Sequence, residues 1–219
     1  QLGVELILVP AVPYRDENNY VKYSARLAEE RAAANPGMAI WANQFDNVAN
    51  RDAHRDSTGA EILRDLDGKV DGFICAVGSG GTLAGVALAL REASKDVKIG
   101  IADPYGAALY AYYTEGEFKS VGNSITEGIG QGRVTANLEG FTPDLAYRVS
   151  DEEALNRAYQ LMAEEGLFLG GSAALNVEGA MKMAADMPKG STIVTILCDG
   201  AGRYASKLSL IHISEPTRP

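Results

Sequence analysis

A chain of 219 residues with 46% hydrophobic content can bury one substantial core, or one domain and part of a second, but not two complete large domains. A net charge of −9 spread over many segments repels a phosphate backbone and argues against nucleic acid as a partner, and no apolar run approaches the length of a bilayer span. The two cysteines, Cys75 and Cys198, each sit in an apolar run, which predicts reduced, buried thiols in a cytoplasmic setting.

The first residue is Gln1 and no signal-peptide pattern follows it, so the chain reads as a fragment whose native N-terminus is expected upstream. Residues 4–9 read as a short strand. Residues 18–35 carry Tyr20, Val21, Tyr23, Leu27 and Ala28 at helical spacing, and Pro36-Gly37 stops that helix. Residues 38–42 read as another strand, whereas 43–57 are polar and predicted irregular. A short helix over 58–66, a buried strand over 70–77, a helix over 81–93 and a strand over 97–102 follow. Asp103-Pro104 ends that strand as a turn former, and 107–113 is helical. The glycine-punctuated stretch 116–140 has little periodicity and is expected to line a site. Ser150-Asp151-Glu152-Glu153 is a capping box that starts a helix at Asp151, and Gly166 supplies its left-handed stop. A helix from Ser172 to about Asp186 and a strand over 192–197 complete the pattern. Strands alternating with helices predict an α/β fold with a largely parallel sheet flanked by helices.

Between the strand at 70–77 and the helix at 81–93 stands Gly78-Ser79-Gly80-Gly81-Thr82. Closely spaced glycines let the backbone turn sharply and present its N–H groups inward, and the following helix aims its positive end at the same point. Amide bonds to a charged group, roughly 1.5 to 3 kcal/mol each, can hold a dianionic phosphate without a lysine or arginine in the loop. An ordinary strand-to-helix turn remains the plain alternative. A nucleoside triphosphate loop needs a lysine followed by serine or threonine, but Gly85 is followed by Val86 and Ala87. A dinucleotide fingerprint fails at its third glycine, where Leu83 stands, although Asp103 lies roughly where a ribose-binding acid would. A small cofactor with a single phosphate fits best.

GSGGTLAG at 78–85, EGIGQGRV at 127–134, GLFLGGSAALNVEGA at 166–180 and ILCDGAGRYASKL at 196–208 together resemble the cysteine synthase, or O-acetylserine sulfhydrylase, family of fold type II pyridoxal-phosphate enzymes. Residues 43–47, Ala49-Asn50, His54 and 58–62 share the resemblance. It implies a tryptophan synthase β-like fold divided into a remnant of a smaller N-terminal domain at 1–44, a phosphate-binding large domain at 45–208, and a non-native tail at 209–219. It assigns the phosphate of pyridoxal 5'-phosphate to Gly78, Ser79, Gly80, Gly81 and Thr82, and sets Ser172 against the pyridine nitrogen, although a simple helix N-cap also accounts for that serine. It places Gln44 at the substrate carboxylate, and Gly128, Ile129 and Gly130 in a loop facing the active site.

The reaction implied is cysteine biosynthesis by β-replacement, sulfide displacing acetate from O-acetylserine. Alternatives are a cystathionine β-synthase-type reaction with homocysteine and a noncatalytic phosphometabolite-binding module. A cytoplasmic homodimer is the implied assembly. Two departures qualify the resemblance. The family's Schiff-base lysine motif is absent: none of Lys22, Lys69, Lys95, Lys98, Lys119, Lys182, Lys189 and Lys207 carries its neighbours, so no catalytic residue is assigned and the chain alone is expected to be inactive. Ala173-Ala174 also replaces a glycine, where the methyl of Ala174 would crowd the ring or restrict the backbone.

Overall fold

The computed structural model describes residues 3–12 and 14–204. Lys207, His212 and the 209–219 tail lie outside these residues. Among the described residues four strands form one parallel sheet in the order β3-β2-β1-β4: β1 (Gly72–Cys75), β2 (Lys98–Pro104), β3 (Leu145–Val149) and β4 (Ile193–Thr195). β1 is central. Gly72 pairs with Lys98 on one side and with Ile193 on the other.

Side-chain alternation along β1 divides the core. Phe73 and Cys75 face the helix that follows the glycine loop, α4 (Gly81–Ala93), where they pack with Leu83, Val86 and Leu90. Ile74 faces the opposite way, into a cluster with Ala102 and Val149 of the sheet, Ala154 of α6 (Asp151–Glu165), and Leu175 and Met183 of α7 (Gly171–Asp186). A parallel sheet covered on both faces is the expected consequence of strand–helix–strand connections. The Ser150 capping box forms as predicted: Ser150 Oγ accepts from Glu153 N at 3.2 Å, and Ser150 N donates to the Glu153 carboxylate at 2.7 Å.

Four expectations need correction. Residues 4–9 and 38–42 form no strand; Leu6, Leu8 and Ile40 are 77%, 83% and 92% exposed, with no ladder to join among the described residues. The helix between them, α1 (Tyr20–Ala34), forms but buries none of its residues. Residues 43–57 are not irregular, for they contain α2 (Ala49–His54) and most of a π-helical turn, Arg55–Gly59, which runs into α3 (Ala60–Asp65). Backbone closeness substitutes for apolar side chains there: a Cβ on Gly59 would sit 2.5 Å from Ala89 Cβ, and one on Gly85 would sit 2.7 Å from His54 Cβ. The strand β3 has no counterpart in the sequence reading, although Leu145, Ala146 and Val149 stand directly before the capping box. Last, Cys75 is buried but Cys198 is exposed, and both thiols are free. α5 (Leu109–Glu115) completes the α-helices among the described residues.

Candidate functional site

The C-terminal end of β1 opens into a cleft of about 500 Å³. Gln44, Gly78, Ser79, Gly80, Thr82, Gly128, Ile129 and Gly130 all line it, joined by Tyr20, Phe45, Ala76, Leu83, Gln131 and Cys198. Eight of the ten residues singled out in the sequence therefore meet in one place. Gly81 lies just behind the wall as the first residue of α4, and Ser172 lies elsewhere.

The loop's shape follows from its glycines. Gly80 caps α4 with φ +87°, a left-handed conformation that a side chain resists. A Cβ on Gly78 would stand 2.5 Å from the Gly128 carbonyl oxygen, so only glycine lets the two loops approach this closely. The first backbone bond of α4 runs from Ala84 N to Gly80 O at 3.0 Å, and Gly81 N donates to Ser79 Oγ at 3.4 Å. The amides of Gly78, Ser79, Gly80, Thr82 and Leu83 have no protein acceptor among the described residues. Unspent amides at the positive end of a 13-residue helix make a cradle suited to an anion.

Neighbouring side chains hold this cradle in place. Gln131 Nε2 donates to Gly78 O at 2.8 Å, Thr135 Oγ1 to Ser79 O at 2.7 Å, and Asn50 Nδ2 to Ser79 Oγ at 2.9 Å. The fully buried Asn137 donates to Gln44 O at 2.9 Å and Phe45 O at 2.8 Å while accepting from Arg51 N at 3.2 Å, which fastens the segment before α2 to the cleft. Arg133 grips Asp46 through two bonds of 2.9 and 2.7 Å; that hydrogen-bonded guanidinium holds the Asp46 carboxyl below the usual carboxylate range. Asn176 clamps the sheet end, accepting from Ala76 N at 2.7 Å and donating to Ile196 O at 2.8 Å. These supports were missed in the sequence, because each joins residues far apart along the chain and no local pattern announces it.

Ser172 is 8% exposed at the start of α7 and lines a separate cavity of about 50 Å³ with Asp151, Ala154, Leu155 and Ala158. Ala173 and Ala174 are wholly buried in the body of the fold, and neither lines the cleft. No lysine among the described residues lines the cleft either. Lys182 is half-buried and donates to Glu153 at 2.7 Å and to Arg148 O at 2.8 Å.

The pyridoxal-phosphate dependent enzyme family matches residues 1–199. Cysteine synthase 1 of Neurospora crassa is 47% identical over 212 residues, covering 94% of this chain and 55% of the relative. Among solved structures, O-acetyl serine sulfhydrylase isoform 3 of Entamoeba histolytica superposes with a TM-score of 0.74 at 29% identity, covering 89% of this chain and 56% of the other. An O-acetylserine dependent cystathionine beta-synthase of Helicobacter pylori gives a TM-score of 0.73 at 30% identity, covering 83% and 57%. The chain spans about half the length of the curated relatives it matches.

Proposed function

Since this chain belongs to the pyridoxal-phosphate dependent enzyme family, we propose that its cleft is the phosphate end of a cysteine synthase active site, in an enzyme that replaces the acetate of O-acetylserine by sulfide. The carrying observation is the set of unspent amides at Gly78, Ser79, Gly80, Thr82 and Leu83, five residues that all line the cleft. The residues fit the group at its phosphate end: neutral donors and a helix terminus satisfy a dianion without a cation, and Ala76, Phe45 and Ile129 give a flat ring apolar surroundings.

When bound, the cofactor supplies an electron sink that eases removal of the substrate's α proton and departure of its β substituent. The chain's own residues bind and orient. Gly78, Ser79, Gly80, Gly81 and Thr82 take the phosphate, Gln44 offers its side-chain amide to the substrate carboxylate, and Gly128, Ile129 and Gly130 form the wall that the substrate passes. In this reading residues 45–208 are the phosphate-binding large domain, and 1–44 are the remnant of a smaller N-terminal domain. Ser172, second residue of α7 behind the cap Gly170, lines a neighbouring cavity and stays the candidate partner of the pyridine nitrogen.

Two assays test this. Purified chain is expected to shift the phosphorus resonance of pyridoxal 5'-phosphate, yet to form no cysteine. Co-expression with the segment of the Neurospora crassa relative that the match leaves out is expected to yield cysteine from O-acetylserine and sulfide. Absence of any phosphate perturbation overturns the cofactor reading, and cystathionine from homocysteine in place of cysteine overturns the choice of sulfide.

A further inference from the structure

His54 has no role in the function just described, yet it stands directly behind the cradle. Its Nε2 lies 3.2 Å from the hydroxyl of Thr82, which lines the cleft, and its Nδ1 lies 2.9 Å from the hydroxyl of Thr58 in the π-helical turn. The base of the side chain packs closely on α4, since a Cβ at Gly85 would stand only 2.7 Å from His54 Cβ. Both ring nitrogens are therefore committed to hydroxyl groups, and one of those hydroxyls belongs to the phosphate loop.

We propose that His54 is a positioning residue for the phosphate site, holding the Thr82 hydroxyl so that its proton points into the cleft. This rests on the cofactor reading of the cleft. The argument is one of counting donors. A dianionic phosphate only accepts hydrogen bonds, and a threonine hydroxyl has one proton and two lone pairs. To donate to the anion, Thr82 must receive the bond it shares with His54, so Nε2 carries the ring proton. A neutral imidazole has a single N–H, which leaves Nδ1 as the acceptor for the Thr58 hydroxyl. The order is Thr58 O–H to Nδ1, Nε2–H to Thr82 Oγ1, Thr82 O–H into the cleft. Burial shifts the His54 pKa downward, which favours the neutral ring this order uses. The opposite tautomer would make Nε2 an acceptor and turn the Thr82 proton away from the anion.

The chain contains two histidines, so nitrogen-15 NMR of labelled protein assigns the tautomer with a single control, His212→Gln. An Nε2–H signal for His54 is expected; an Nδ1–H signal overturns the proposal without any mutation at the site. The second measurement is a cycle of His54→Ala, Thr82→Val and the double variant, reading pyridoxal 5'-phosphate affinity and the phosphorus chemical shift. Removing His54 is expected to weaken binding about fivefold to tenfold when Thr82 is present and to have no further effect once its hydroxyl is gone. His54→Gln, whose amide can still donate, is expected to recover most of the affinity. Equal losses in both backgrounds mean that His54 acts on the fold at large, and overturn the proposal. A wild-type chain that does not bind the cofactor sinks the reading of the cleft, and the tautomer then decides the role of His54 by itself.

Discussion

The side-chain amide of Gln131 donates to the carbonyl oxygen of Gly78 at 2.8 Å, and this bond sets the direction of an amide that it does not touch. A trans peptide holds its C=O and the next N–H antiparallel, so anchoring the Gly78 oxygen orients Ser79 N–H. Thr135 Oγ1, which donates to Ser79 O at 2.7 Å, does the same for Gly80 N–H. Two side chains outside the loop thus aim two of the cradle's donors before any anion arrives. Preorganisation of this kind favours binding by removing the cost of turning the peptides in the complex.

Gln131→Ala and Thr135→Val are therefore expected to weaken pyridoxal 5'-phosphate binding by about threefold to tenfold each, while lowering stability by only about 1 kcal/mol. Fluorescence titration and urea denaturation measure the two quantities on the same samples. Affinity unchanged in both variants would show that the loop keeps its amides aimed without help.

Gly78→Ala tests the close approach of the two loops. The new methyl would stand 2.5 Å from Gly128 O, a backbone atom that cannot rotate aside as a side chain could. Either the 128–131 wall moves outward or Gly78 does, and both break the geometry of the cradle. Binding is expected to fall by more than about tenfold, with about 1 to 3 kcal/mol of destabilisation from overpacking. Titration of the folded variant with pyridoxal 5'-phosphate checks the first, and its urea midpoint the second.

Asn137→Ala should cost more stability than either, although Asn137 is not part of the cleft lining. Its side chain serves Gln44 O, Phe45 O and Arg51 N from a fully buried position; Asn50 Nδ2 also donates to Gln44 O at 2.8 Å, so truncation strands Phe45 O and Arg51 N together. Unpaired buried groups at about 1 to 3 kcal/mol apiece, partly rescued by entering water, predict a loss of about 2 to 4 kcal/mol. Amide exchange should show the loss concentrated in α2 and the segment before it.

The sequence announced the parts of this molecule that are local. Gly78, Gly80 and Gly81 stand within four residues, the Ser150 and Glu153 box spans four as well, and α4 carries its own apolar pattern; the turn, the box and the helix all formed. What it concealed is held at a distance. The 43–57 segment looks too polar to fold, because its helix docks through Gly59 and Gly85 rather than through large side chains. Asn176 and Asn137 read as ordinary polar residues until the fold brings backbone groups from about a hundred residues away against them. Residues 4–9 and 38–42 show the reverse case, in which a strand-like pattern gives no strand because pairing requires a neighbour as well as a propensity.

Asp103 gives the fold a pH dependence of unusual sign. It stands next to last in β2 with no exposed surface; one carboxylate oxygen accepts from Tyr110 N at 2.8 Å, and the other has no hydrogen-bond partner among the described residues. Burial pushes its pKa up from 3.8 to about 6, against the opposing pull of the Tyr110 amide and the Arg148 charge. In the unfolded chain the group titrates near its ordinary value, so between about pH 4 and 6 the folded state holds a proton that the unfolded state has lost. Stability from this group is therefore fully present below the unfolded pKa and is lost as pH rises through the folded one. The two-unit separation corresponds to about 3 kcal/mol. Asp103→Asn keeps an oxygen for Tyr110 N but cannot ionise, so its unfolding free energy should lack this decline. Measured by urea denaturation at pH 4 and pH 7.5, the variant is expected to gain on the wild type by up to about 3 kcal/mol as pH rises. Parallel curves for the two proteins would mean that water or Arg148 neutralises the buried charge, and that Asp103 acts only as the cap on α5.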